Sequence, residues 1–272
     1  MNVDIQKVAE SILNSDINRI RPDKALAPEL AGKRLFDPPV IGYGDPNDRY
    51  FEECENLYNL RMKPPKEWLP SVKTIISVFF PYSDELKESY RANKRNISYE
   101  LLHVRVEGQA LIETFLKEAK AALLKEGHDA MIPTQDERFS SSGFKDISPG
   151  MPEYTSNWSE RHVAYAVGLG TFSLTRALIT EKGAAGRFGS ILTSMESEFT
   201  GCSCSGLYDN CTKCGACIDK CPVSAITLEG GKDNAKCAEH LRHVMNEYHP
   251  YYGCGECQTG VPCESRIPKG RI

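Results

Sequence analysis

The spacing of hydrophobic residues predicts both helices and strands in the first two hundred residues. Apolar side chains recur at helical intervals over residues 3–13. The run Thr74–Phe80 is β-branched and aromatic and stops at Pro81, which predicts a buried strand. A long helix is predicted over Tyr99–Glu126 and ends at Gly127. Its apolar positions are Leu101, Val104, Leu111, Phe115, Ala119 and Leu123.

Shorter elements follow in the same alternating pattern. Trp158–Val167 is predicted to be a helix, and Arg176–Thr180 and Gly189–Thr193 are predicted to be strands. The interval Ile132–Tyr154 is rich in Ser, Gly, Pro and charge and shows no periodicity. A loop of that length in a compact domain is often functional. The pattern as a whole predicts a mixed α/β fold (α/β or α+β).

The cysteines divide the chain into two parts. Ten of the eleven lie within Cys202–Cys263, and only Cys54 lies outside that stretch. Such segregation in a long chain favours metal ligation in one local unit over a disulfide framework. We therefore predict one domain over residues 1–200 and a metal-binding domain over residues 201–272.

Composition and charge mainly argue against certain classes of protein, such as nucleic-acid-binding, exported and membrane-spanning proteins. Hydrophobic residues make up 40% of the 272 residues, enough for a sizeable core, and the formal charge of −4 gives no general attraction to nucleic acid or anionic membranes. The N-terminal residues lack the pattern of an export signal, and the longest apolar run is too short to cross a bilayer. We expect a cytoplasmic protein with no membrane association.

The strongest motif is a run of four cysteines, Cys211-x2-Cys214-x2-Cys217-x3-Cys221-Pro222. This spacing is typical of bacterial ferredoxins, in which the first three thiolates bind one iron–sulfur cube and the fourth binds a second cube. Two CxxC pairs could instead form a zinc ribbon, but the four-cysteine run followed by proline disfavours zinc. The motif predicts two [4Fe–4S] clusters and electron transfer.

The later cysteines complete the two sets of ligands. The first quartet is predicted to be Cys211, Cys214, Cys217 and Cys263. The second quartet is predicted to be Cys221, Cys237, Cys254 and Cys257. Cysteine ligation with few positive neighbours leads us to expect low redox potentials. The remaining cysteines are not assigned to a cluster. Cys202 and Cys204 are interpreted as free thiols or as a minor alternative ligand, and Cys54 is interpreted as a small buried hydrophobic residue.

Several segments resemble a known protein family and occur in the family's order. They are Leu69–Ile76 with Pro81-Tyr82, Glu160–Gly170, Ala177–Thr180, Gly189–Thr193 and Tyr252–Gln258. On these segments the chain resembles the epoxyqueuosine reductases and, more distantly, the corrinoid reductive dehalogenases. The resemblance implies a nitroreductase-like domain that binds base-off cobalamin, followed by a ferredoxin-like domain with two [4Fe–4S] clusters.

The resemblance also implies which positions line the corrinoid. They are Gly168, Gly170, Leu178, Phe188, Gly189 and Ser190. Glycine allows the backbone to approach a macrocycle closely, although Gly168 and Gly170 also fit an ordinary helix end. A base-off corrinoid in this family has no histidine beneath the cobalt. His103 and His162 are therefore interpreted as packing or solvent-facing residues.

The proton donor is where the sequence departs most from the family. The position that holds an aspartate in epoxyqueuosine reductases is Tyr154 here, and reductive dehalogenases use a tyrosine as the acid. The resemblance therefore makes Tyr154 a candidate proton donor, with Asp136 as the alternative. Tyr154 could equally be a tyrosine that only lines the loop.

The resemblance leaves three functional hypotheses open. The first is a corrinoid oxidoreductase that acts on a small electrophilic substrate, with reduced ferredoxin or flavodoxin as electron donor. The second is an electron carrier or corrinoid-reducing activase that serves a partner enzyme. The third is a tRNA epoxyqueuosine reductase. Because the sequence stops at Ile272, without the helical-repeat module that grips tRNA in the family, tRNA is not the expected partner.

Overall fold

A four-stranded antiparallel sheet forms the centre of the protein. A computed structural model describes residues 3–53, 62–93, 95–142, 156–201 and 206–270. The strand order is β1–β2–β6–β3, and every neighbouring pair is antiparallel. The strands are β1 (Val40–Gly44), β2 (Thr74–Pro81), β3 (Ala130–Met131) and β6 (Gly186–Thr193).

Helices and two short hairpins complete the described chain. The helices are α1 (Ile5–Leu13), α2 (Pro65–Trp68), α3 (Asp84–Ala92), α4 (Tyr99–Lys125), α5 (Glu160–Ala166), α6 (Ala216–Asp219) and α7 (Asn234–Tyr248). The hairpins pair β4 (Gly170–Phe172) with β5 (Leu178–Thr180), and β7 (Ile226–Thr227) with β8 (Gly231–Lys232).

The long helix α4 covers one face of the sheet. Its start is fixed by Ser98, whose hydroxyl accepts a hydrogen bond from the Leu101 amide at 3.2 Å. Its apolar stripe, including Leu111 and Phe115, is completely buried against the sheet and α1. The helical spacing seen in the sequence therefore corresponds to a single buried stripe.

A second apolar layer lies on the opposite face of the sheet. Trp158 is 1% exposed and packs between the stacked ring of Phe51 and the edge of Trp68. Helix α5 follows directly and buries Val163 and Ala164 in the same layer. This layer brings the two tryptophans of the chain together beneath α5.

The cysteine-rich segment is anchored to α3 and α4. The Tyr251 hydroxyl donates a hydrogen bond to Glu107 at 2.6 Å and also lies 3.0 Å from the Lys24 carbonyl oxygen. Arg91 on α3 pairs with Glu264 near the end of the described chain. These contacts join residues far apart in sequence, so they hold the cysteine loops against the sheet domain.

Most of the strong sequence patterns are confirmed. The predicted strand and long helix match β2 and α4, and the mixed α/β class with a ferredoxin-like module is correct. The last strand begins at Gly186, earlier than its apolar run. Strand β1 and helices α3 and α7 were not predicted. Within the described ranges, no helix is both long and apolar enough to cross a membrane.

Candidate iron–sulfur and cofactor site

The first quartet surrounds one cavity. Its four cysteines line a pocket together with residues 173–175, Ile179 and Val261. The wall is built by the β4–β5 hairpin, because Cys211 and Cys263 pack on Ala177, Ile179 and Ala184. A backbone hydrogen bond from Ala184 to the Cys263 carbonyl, 2.8 Å long, fixes that contact.

All four cysteines of the second quartet are partly buried. Burial, with smaller contributions from the nearby Cys257 and Cys237 thiols, raises the pKa of the Cys254 thiol to about 12. Burial also raises the pKa of Cys257, which lies near Cys237 and Cys221. The four sulfurs thus share one environment, although they come from three separate stretches of chain.

The two quartets are adjacent. Helix α6, which carries Cys217, packs on the short 3₁₀ turn Glu256–Gln258, which carries Cys257. Burial raises the pKa of Cys217 to about 11, and Cys257 of the other quartet is the largest charge contribution. Cys217 and Cys257 therefore mark a place where the two groups of ligands approach each other. The assignment of each cysteine to a cluster stays a prediction.

The two quartets differ in exposure. Cys214 of the first quartet is exposed, and Lys213 beside it is exposed as well. Lys269, next to the cavity-lining Pro268, adds a second exposed cation at the same rim. The first quartet therefore has the more exposed edge of the two.

Two arginines lie against the loop of the second quartet. The Arg105 guanidinium stands over the Tyr252 ring, 4.9 Å from its centroid, and the Arg105 side chain contacts Gly253. Arg187 donates a hydrogen bond to Gln109, one helical turn beyond Arg105. The Nε atoms of Arg105 and Arg187 are buried without hydrogen-bond partners. The expectation of few positive neighbours therefore does not hold here, because arginines distant in sequence converge on the loop.

The glycines expected to lie against a corrinoid have other roles in the fold. Gly168 ends α5 with a φ of +90°, which favours glycine at a helix C-terminus. A Cβ on Gly170 would lie 2.1 Å from the Ile179 carbonyl oxygen, so glycine allows β4 and β5 to pair. A Cβ on Gly189 would lie 2.9 Å from Ile112 of α4. The helix-end interpretation thus accounts for Gly168, and close strand and helix packing accounts for the other two.

The remaining predicted corrinoid positions face the layer beneath α5. Leu178 and Ser190 are completely buried. Phe188 is half-buried, and its ring centroid is 4.6 Å from that of Phe79. These side chains form one wall next to α5, and their contact with a corrinoid stays a prediction.

Of the two candidate proton donors, only Asp136 lies in the part of the chain that the structure describes. Tyr154 lies outside the described residues, as do Cys54, Cys202 and Cys204. Asp136 accepts a hydrogen bond from Arg138 Nε at 2.6 Å, and this partner lowers the pKa of the carboxyl. Asp136 is therefore an ionised, paired carboxylate at neutral pH, which is a poor starting point for a proton donor.

Both histidines considered as cobalt ligands are packing residues. His103 is completely buried and accepts a hydrogen bond from the Leu26 amide at 3.1 Å. His162 Nδ1 lies 2.6 Å from the Tyr50 hydroxyl. Burial lowers the pKa of His162 to about 3, so its ring is neutral. This agrees with the interpretation drawn from the sequence.

A buried carboxyl was missed as a candidate. Neither side-chain oxygen of Glu160 has a hydrogen-bond partner of good geometry, and both are buried. Burial raises the pKa of Glu160 to about 7, although the nearby Ser190 hydroxyl acts in the opposite direction. Its place at the start of α5 would ordinarily predict a solvent-facing, helix-stabilising acid. Nothing in the sequence distinguishes it from such a residue.

The cysteine module and the domain that supports it define a class of protein. A ferredoxin-type cysteine run on an α/β domain is the arrangement of an iron–sulfur redox protein. In agreement, residues 207–227 match the model of the 4Fe-4S binding domain family.

Curated relatives make the relationship more specific. Epoxyqueuosine reductase from Bacillus subtilis (strain 168) is 26% identical over 73% of this chain and 49% of its own length. The enzyme of the same name from Staphylococcus aureus is 27% identical over 73% of this chain and 50% of its own length. This chain is therefore an iron–sulfur protein related to the epoxyqueuosine reductases, and it spans about half the length of these relatives. Their reductase names agree with the expected oxidoreductase class.

Solved structures share the fold. Epoxyqueuosine reductase from Streptococcus thermophilus superposes with a TM-score of 0.52 at 20% identity, covering 96% of this chain and 65% of that one. The catabolic reductive dehalogenase NpRdhA superposes with a TM-score of 0.52 at 16% identity, covering 97% of this chain and 37% of that one. At these identities the likeness concerns the fold alone.

Proposed function

We propose that this protein is a corrinoid-dependent iron–sulfur reductase of the epoxyqueuosine reductase type, with the epoxide of epoxyqueuosine in tRNA as its substrate. The observation that carries the proposal is the alignment with epoxyqueuosine reductases over 73% of the chain. That alignment favours this substrate over the small electrophile expected first from the sequence. It also weakens the expectation that tRNA is not a partner.

In this proposal, residues 201–272 hold two [4Fe–4S] clusters, each on one quartet. Reduced ferredoxin or flavodoxin would deliver electrons at the exposed rim beside Cys214. Electrons would then cross between the quartets at Cys217 and Cys257, whose environments overlap. Each cysteine sulfur would bind iron as a thiolate, so cluster assembly would displace the thiol protons.

Residues 1–200 would bind the corrinoid. Cobalamin, when bound, supplies a strongly nucleophilic, low-potential cobalt centre. The fit rests on the buried polar atoms of Glu160 and Ser77 beneath α5, which have no partner of good geometry among the described residues, because a corrin ring has a polar rim. It does not rest on the glycines, whose roles the fold explains.

The chain must also supply a proton to the reduced substrate. Tyr154 keeps that role in the proposal, because the resemblance aligns it with the family's donor position. Asp136 is the weaker alternative, since Arg138 holds it ionised.

The test is anaerobic reconstitution followed by metal analysis and an activity assay. We expect about eight irons and one cobalt per chain and reduction of epoxyqueuosine in a tRNA stem loop. Iron without cobalamin uptake would overturn the proposal in favour of the electron carrier. The protein could instead take up both iron and cobalamin and reduce small electrophiles but not epoxyqueuosine. That result would support the first hypothesis from the sequence, in which the substrate is a small electrophile.

A further inference from the structure

Two serines interrupt the apolar layer beneath α5. Ser77 on β2 and Ser190 on β6 are directly opposite each other in the sheet register, so their side chains share one face. The pairs on either side, Phe79 with Phe188 and Ile75 with Leu192, are apolar members of that layer. Both serines are completely buried.

The polar atoms around these serines are only partly satisfied. The Trp158 indole N–H donates to Ser190 Oγ at 2.9 Å. Among the described residues, Ser77 Oγ and Trp68 Nε1 are buried without partners, and the only group near the two buried carboxyl oxygens of Glu160 that could pair with them is the Ser190 hydroxyl. These four are among the seven such side-chain atoms in the described parts of the chain. Buried polar groups are normally paired, so four in one layer indicate a partner that is not among the described residues.

Within the described ranges, no cationic side chain pairs with Glu160 in this layer. The strands that pack against α5 are β2, β4, β5 and β6, and their one titratable side chain is Arg187. Arg187 bonds to Gln109 of α4, on the opposite face of the sheet. On α5 itself, His162 is close to Tyr50, and Arg161 donates to the Arg176 carbonyl.

A group that occupies this place must therefore offer both donors and acceptors without charge. Glu160 can accept a hydrogen bond, and the Ser77 hydroxyl and the Trp68 indole N–H can donate. A carboxylate ligand would be repelled by the ionised form of Glu160, and a cation would have only one charged partner in an otherwise apolar layer. A primary carboxamide has two N–H donors and one carbonyl acceptor, which matches this set.

We propose that Glu160, Ser77 and Trp68 form a recess that binds a neutral primary carboxamide of the ligand. The inference rests on the proposed function, because the rim of a corrin ring carries such carboxamides. Glu160 accepts from the amide nitrogen, and Ser77 or Trp68 donates to the amide oxygen. Buried water is the competing occupant, since water also satisfies isolated polar atoms in protein interiors.

The test compares cobalamin with its isomeric monocarboxylates, in each of which one propionamide has been hydrolysed to an acid. Binding to the reconstituted protein is measured under anaerobic conditions. We expect the wild-type protein to bind at least one isomer about tenfold more weakly than cobalamin, because an ionised acid replaces the amide beside Glu160. Glu160→Gln should abolish this discrimination, since glutamine can donate to the acid. Ser77→Ala should weaken the binding of cobalamin itself.

Glu181→Gln, at an exposed position, is the matched control and should behave as wild type. Iron content and circular dichroism establish that each variant is folded. The proposed recess would be wrong if the wild-type protein bound cobalamin and all isomers equally. It would also be wrong if Glu160→Gln discriminated among them as the wild type does. Neither result would argue against cobalamin binding itself. In either case we would conclude that buried water satisfies these polar atoms. Failure of the wild-type protein to take up cobalamin would overturn both the recess and the proposed function.

Discussion

Replacement of Glu160 by glutamine should make the protein more stable at alkaline pH and have little effect at acidic pH. Burial keeps the Glu160 carboxyl protonated to higher pH in the folded state than in the unfolded chain. Between the two pKa values the unfolded chain therefore binds fewer protons, and the free energy of unfolding falls as the pH rises. Glutamine removes this dependence while keeping the size and polarity of the side chain.

The magnitude follows from the difference between the two pKa values. Burial raises the pKa from 4.5 to about 7, a difference that corresponds to roughly 3 kcal/mol at ~1.36 kcal/mol per unit. The wild-type protein loses this contribution as the pH rises from about 4.5 to about 7, and it is fully lost above that range. The advantage of Glu160→Gln over wild type should grow by the same amount across the same window.

The tryptophans provide a local assay. Trp68 and Trp158 are the two tryptophans of the chain, and their rings lie 6.0 Å apart in the layer that contains Glu160. Denaturant titrations of the cluster-loaded protein, followed by tryptophan fluorescence at about pH 5 and about pH 8.5, give the two stability differences. Glu181→Gln serves again as the control. Equal differences at the two pH values would show that Glu160 titrates normally, which refutes the reasoning.

Three further predictions concern the clusters. Arg105→Gln should lower the midpoint potential of the second cluster, because a cation beside the loop stabilises the reduced form. The measurement is a redox titration followed by electron paramagnetic resonance, and an unchanged potential would contradict the prediction. The double variant Lys213→Glu, Lys269→Glu should be reduced by an acidic flavodoxin about tenfold more slowly than the wild type at low salt. If the reduction rate depended neither on salt nor on these charges, the donor would bind elsewhere. Cys221→Ala should remove about half of the iron and spare the first cluster, and loss of the first cluster alone would refute the ligand assignment.

The elements that sequence predicted well are those with a strong local pattern. β2 is a continuous apolar run because both of its faces are covered, and α4 carries one regular apolar stripe. β1 was missed because its residues, Val40–Gly44, include two glycines and alternate only weakly. A Cβ at Gly42 would lie 2.6 Å from Leu169, so glycine there serves packing rather than strand propensity.

The candidate site was predictable only where the chemistry lies in a contiguous motif. The spacing from Cys211 to Cys221 identified the cluster loop directly. Glu160 and Ser77 are separated by more than eighty residues, and their placement in one layer depends on the register that puts Ser77 opposite Ser190. The convergence of Arg105 and Arg187 likewise depends on α4 crossing the sheet, which no local pattern encodes.

The distribution of charge gives the two clusters unequal roles. Exposed lysines at the rim of the first quartet attract a donor, but water also screens their effect on the cluster behind them. Arg105 lies against the buried loop of the second quartet, where a charge acts through less water and shifts a potential more strongly. The second cluster should therefore have the higher potential, and electrons that enter at Cys214 should move inward to it. A variant without Arg105 should lose this bias and leave the electron shared between the two clusters.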